Sequence, residues 1–192
     1  MQRSVLCVML VGAVALAILT SDGWASDKSA KGFPGQVARG KYLVDFGGCH
    51  DCHSPKVMTP MGPVADTTRP LSGHPANEKL AEVPFEYIAP DKWAAVTNNH
   101  FTAWAGPWGI SFARNLTPDV TTGLGSWTEE MFIKTMRTGK QMGEGRPILP
   151  PMPWPQVGSL TDDDLKAVFA YLQSVKPIEN AVPDPIPPPA GK

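Results

Sequence analysis

Residues 49 to 53 read Cys49-His50-Asp51-Cys52-His53. On a helical turn, a spacing of three positions places both sulfurs on the same side of the chain, and an imidazole follows at once. A disulfide between two cysteines this close would close almost no loop, so it would add little stability. The sequence has 3 cysteines. The remaining one, Cys7, lies in an apolar leader, so these two thiols call for another explanation.

Cys-x-x-Cys-His is the pattern of c-type haem attachment. Two thiols on one side of a turn can form thioethers with the two vinyl groups of one porphyrin, and the next residue brings a nitrogen under the iron as proximal ligand. A thioredoxin-like dithiol belongs at a strand-to-helix junction in an α/β alternation, and no such alternation is present. A zinc site wants four ligands, and the other histidines beyond the leader, His50, His74 and His100, lack ligand-like spacing. The expected cofactor is one covalent haem c on Cys49 and Cys52, with His53 as an iron ligand.

Upstream, Arg3, the apolar run Val5 to Leu19 and the small-residue site Gly23-Trp24-Ala25 have the three parts of a secretory signal. The expected organisation is a signal peptide over 1–25, a single haem domain over 26–176 and a proline-rich tail over 177–192. The product would be exported and periplasmic, and membrane-bound only if the signal stays uncleaved. A formal net charge of −1 gives no electrostatic case for a nucleic-acid partner. With 18 glycines and 21 prolines in 192 residues and no repeat period, the fold should be rich in loops.

Around the motif, Gly35 to Gly47 has helical apolar positions Val37, Tyr42, Leu43, Val44 and Phe46. Gly40 falls in mid-helix, where glycine is normally unfavourable, and it makes sense where a second helix crosses close to the backbone. Thr161 to Val175 is the partner: a capping threonine, three aspartates in the first turn, then Leu165, Val168, Phe169, Tyr171, Leu172 and Val175 along one face. Between them, Ser126 and Glu129 form an S-x-x-E capping box opening a third helix. In 98–116, the aromatic and apolar residues flanking Gly106-Pro107 read as two short strands with a turn at Ala105 to Trp108. The tail from Pro177 has no core pattern and should be extended or disordered, a possible tether to a partner.

Gly40-Lys41-Tyr42 ahead of CHDCH, the stretch NLTPDVTTGLGSWTEEMFIKTMRTGK at 115–140 and ILPPMPW at 148–154 together resemble a class I cytochrome c domain. The similarity is to the bacterial monohaem domains also found as modules or subunits of periplasmic dehydrogenases. It implies an all-α cytochrome c fold, with Gly40 and Val44 packed against Val168 and Tyr171. The gap between His53 and Met152 is longer than in the smallest members, so an inserted loop and β-hairpin segment is expected over about 58–112. Family resemblance also implies that a proline carbonyl orients the proximal imidazole, with Pro55, Pro60 and Pro63 as candidates.

Carriers of this type close the iron with a thioether. Met58 and Met61 have barely enough chain after His53 to round the porphyrin edge. Met136 shares a helical face with Phe132 and Ile133, a core position, and Met142 lies among glycines. Met152 sits among Pro150, Pro151, Pro153 and Pro155, which fix its backbone, and it matches the family's MPW position; His100 and Met142 are the alternatives. For the haem propionates, Arg137 and Trp127 are the chosen donors ahead of Arg114, Asn115 and Trp154. The function expected is one-electron transfer without catalysis, through His53 and Met152, to redox partners such as a periplasmic dehydrogenase or a terminal oxidase or reductase. The competing class is a haem enzyme or sensor with an open or displaceable sixth site and His100 as distal acid–base group.

Overall fold

The computed structural model describes residues 35–190; the expected signal segment, 1–25, lies outside them. Among the described residues there are five α-helices: α1 Gln36–Phe46, α2 Cys49–His53, α3 Glu129–Thr138, α4 Trp154–Val157 and α5 Asp162–Ser174. There are also five short strands: β1 Lys56–Thr59, β2 Gly62–Ala65, β3 Val96–Thr97, β4 Ala103–Gly106 and β5 Gly109–Phe112. The all-α expectation is therefore corrected. β1 and β2 form an antiparallel hairpin, and β3, β4 and β5 form a second, three-stranded sheet in that order. No helix among the described residues is long and apolar enough to cross a membrane.

Helices α1 and α5 cross at Gly40. A Cβ there would stand 1.8 Å from the Ala167 carbonyl oxygen and 2.8 Å from Tyr171 Cβ, an approach that only glycine permits. Val44, one turn later on the same face, is fully buried. Helix α5 opens as its sequence suggests, with the Thr161 hydroxyl accepting the Asp164 N–H at 3.1 Å and acidic residues complementing the dipole. Its Leu165, Val168, Phe169 and Leu172 meet α3 in one apolar cluster, where the Phe132 and Phe169 rings lie 5.4 Å apart. The start of α3 is displaced from the expected Ser126. The Trp127 N–H is engaged with the Leu124 carbonyl in a preceding turn, and Thr128 takes the cap, accepting the Met131 N–H at 3.2 Å.

The inserted segment builds its own apolar cluster from Ala103, Ala105, Ile110 and Phe112. The turn at Pro107-Trp108 joins β4 to β5, with Gly106 opposite Gly109. Two features went unforeseen: the β1–β2 hairpin directly after the motif, and the state of the tail. Residues 178–186 lie as a strap along the insertion. Val182 is buried in the insertion's cluster, and Ile186 exchanges backbone hydrogen bonds of 2.7 and 2.9 Å with Ile110. The tail is extended, as proline content dictates, but it is bound to the body of the protein.

Candidate haem-attachment site

Helix α2 is one turn long, entered through Gly48 in the left-handed region at φ 65°. It carries Cys49 and Cys52 as half-buried free thiols. Burial pushes the Cys49 thiol up to about 11 and raises that of Cys52, so both are protonated, neutral groups at physiological pH. The carbonyls at the end of this turn need donors. The buried Lys56 ammonium supplies them, donating to His50, Asp51 and Ser54 oxygens at 3.0, 2.8 and 2.6 Å. Sequence reasoning missed Lys56; the signal was a cation just beyond a short helix.

His53 is clamped on two sides. Its carbonyl accepts the Gly73 N–H at 2.8 Å, and its Nδ1–H donates to the Arg114 carbonyl oxygen at 2.7 Å. Burial holds the imidazole below its ordinary pKa, against the opposing pull of that carbonyl, so the ring is neutral. With the proton on Nδ1, Nε2 is left with a free lone pair for a metal. The expected proline carbonyl is replaced. Pro55 spends its oxygen on the Asp66 N–H, and Pro60 and Pro63 belong to the β1–β2 hairpin. Gly73 makes room for the substitute: at φ +80°, a Cβ there would lie 2.8 Å from the Arg114 oxygen.

Cys49, Trp127 and Met152 all pack against the helical core, to which Leu71 and Leu116 also belong. These two leucines come from the chain segments that clamp His53, and the Leu116 N–H donates to Leu71. The Met152 loop is moored to the insertion by the Ser111 hydroxyl, which donates to the Pro150 carbonyl at 2.5 Å. Other methionines are placed differently: Met61 is 95% exposed, Met58 and Met142 are also exposed, and Met136 is core. His100 accepts the Lys56 N–H on Nδ1 at 2.9 Å and directs Nε2 toward Glu78 at 3.6 Å, so both nitrogens face protein groups.

Arg137 is not brought to this group. Its guanidinium donates to the Gly158 carbonyl and pairs with Asp162 at the start of α5. The Arg114 side chain donates to the strap carbonyls of Val182 and Pro183. Trp154 covers Gly139, and Asn115 bonds Thr122 and Ile178. The indole N–H groups of Trp104 and Trp108 have internal acceptors. The donor set fits a covalent porphyrin: two neutral thiols on one turn, a neutral imidazole with its outer proton committed, and a half-buried thioether on the same apolar core.

Helical crossing and motif together define a protein that carries its porphyrin by covalent bonds. The family described as Cytochrome c matches residues 37–176, and the chain belongs to the cytochrome c family, whose cofactor is haem c and whose work is electron transfer. Its relatives are cytochrome subunits of dehydrogenases. The gluconate 2-dehydrogenase cytochrome c subunit of Pantoea cypripedii is 30% identical over 185 residues, 96% of this chain and 31% of that protein. The cytochrome c subunit of the alcohol dehydrogenase (quinone) of Gluconobacter oxydans (strain 621H) is 36% identical over 110 residues, 52% of this chain and 23% of that protein. The fructose dehydrogenase cytochrome subunit of Gluconobacter japonicus is 32% identical over 127 residues, 62% and 26% of the two chains. The chain thus spans less than a third of the length of these relatives.

Proposed function

We propose that this chain is an exported, periplasmic electron carrier with one haem c, attached through Cys49 and Cys52 and ligated by His53 and Met152. It would take electrons from a dehydrogenase and pass them to a further redox protein, such as a terminal oxidase or reductase. The observation that carries this is the His53 imidazole, held by its Nδ1–H to Arg114 with Nε2 free, one residue after the second of two thiols on a single turn. Haem c, when bound, supplies an iron that gains and loses one electron. His53 keeps its tautomer and orientation through the Arg114 carbonyl, which also strengthens it as a donor.

Met152 offers a soft, neutral sulfur that favours ferrous iron and raises the potential relative to a second histidine. Trp127, on the same core, has one indole N–H to offer a haem carboxylate. The names of the relatives support a dehydrogenase as electron donor. That the leader would be removed after export is part of the same proposal.

Replacing Met152 with alanine should abolish the weak red-end band of sulfur on ferric iron. It should lower the potential and let carbon monoxide bind the reduced protein promptly at neutral pH. An unchanged low-spin spectrum and potential in that variant would rule out the methionine. Prompt carbon monoxide binding before any substitution would place the protein with haem enzymes or sensors.

A further inference from the structure

We infer that the C-terminal strap, residues 178–186, positions the iron-ligating histidine through Asn180 and Arg114. This rests on His53 being that ligand. The ring and its backbone are gripped by two segments far apart in sequence: residues 71–76, through the Gly73 N–H, and residues 113–117, through the Arg114 carbonyl.

The strap binds both segments. The Asn180 amide donates to the carbonyls of Ser72 at 2.7 Å and His74 at 2.8 Å, on either side of Gly73. Its oxygen accepts the Ala76 N–H at 3.0 Å. Both amide hydrogens and the oxygen are thereby used on one loop. On the other segment, the Arg114 guanidinium donates to the Val182 and Pro183 carbonyls at 3.2 Å each. The Asn115 amide donates to Ile178 at 2.8 Å, and the Asn180 N–H reaches Thr122 at 2.9 Å. Val182 in the insertion's core and the paired bonds of Ile186 with Ile110 anchor the far end.

The strap therefore sets the distance between the segment that carries the acceptor and the segment whose Gly73 N–H holds the His53 backbone. A ligating imidazole whose outer N–H is bonded to a carbonyl is a stronger donor and stabilises ferric iron. Loosening that bond weakens the donor and raises the potential. Asn180 and Arg114 are positioning residues: they act through the proximal histidine rather than on the iron.

The test compares three haem-loaded proteins: full-length, truncated after Lys176, and Asn180→Ala. Each is measured for covalent haem by mass, for reduction potential, and for the exchange rate of the His53 Nδ1 proton by NMR. Asn180→Ala keeps the rest of the strap, so it decides the matter if the truncated chain does not fold. Loss of three hydrogen bonds should speed Nδ1–H exchange about tenfold and raise the potential, with further change in the truncated form. Covalent haem with exchange and potential both unchanged in Asn180→Ala overturns the strap's role and leaves the carrier assignment standing. Full-length protein without covalent haem overturns the carrier assignment itself.

Discussion

At the residue scale, a few polar side chains hold the loop after the motif, and Asp66 is the clearest. Its carboxylate accepts from the Thr68 N–H and hydroxyl at 2.9 and 2.6 Å and from Arg69 Nε at 2.9 Å. Those donors, the Thr68 hydroxyl foremost, bring its pKa down to about 2. A depressed carboxylate pKa stabilises the fold above the unfolded value of about 3.9, and that contribution is lost as pH falls through the folded value. Asp66→Asn should therefore cost about 1 kcal/mol at neutral pH after solvent screening. Denaturation curves of the two proteins should converge as pH approaches 2; a constant gap would show that the charge is irrelevant. At the same scale, the proposed haem-bearing residues are read from Cys49-His50-Asp51-Cys52-His53 alone, because thioether chemistry and ligation are properties of neighbours. The acceptor for His53 was not. Any residue has a carbonyl, and only the fold brings that of Arg114 across 61 positions to 2.7 Å.

At the scale of elements, the crossing of α1 and α5 depends on one missing methyl group. Gly40→Ala would drive a Cβ into the Ala167 carbonyl, and the helices would have to separate along an otherwise filled interface. Overpacking of this kind costs about 3 kcal/mol, measurable as a lower unfolding midpoint with the denaturant slope unchanged. A neutral Gly40→Ala would mean the helices do not cross there. Helices of this kind were legible in the sequence because a 3.6-residue apolar period and a capping threonine are local signals. The hairpin of β4 and β5 was legible for a like reason, from Gly and Pro at its turn. The β1–β2 hairpin escaped notice. Its apolar residues Val57, Met58 and Val64 are exposed, so it has no buried apolar face to impose an alternating pattern.

For the whole molecule, a net charge of −1 leaves little long-range field to guide a partner. Electron-transfer rates with a redox partner should change by less than about threefold as salt rises from ~0.01 to ~0.1 M. A steep fall in rate would show a local charged patch at the docking face. Two apolar cores are joined in this molecule, one between the helices and one within the insertion. The proline-rich tail ties the insertion's core, through Val182, to the two segments that grip His53, through polar contacts. Its sequence gave no hint of this, since a strap held by side-chain amides and carbonyls needs no apolar period.

The sequence by itself determined the family, through the haem c motif that ends in His53, and the helices that cross at Gly40. Each of these follows from residues a few positions apart, where covalent geometry and helical periodicity leave little freedom. The tertiary structure alone decided which carbonyl orients that histidine, which cation closes α2 and where the tail goes. These are backbone and polar contacts between distant segments, set by how the two cores pack rather than by any local pattern.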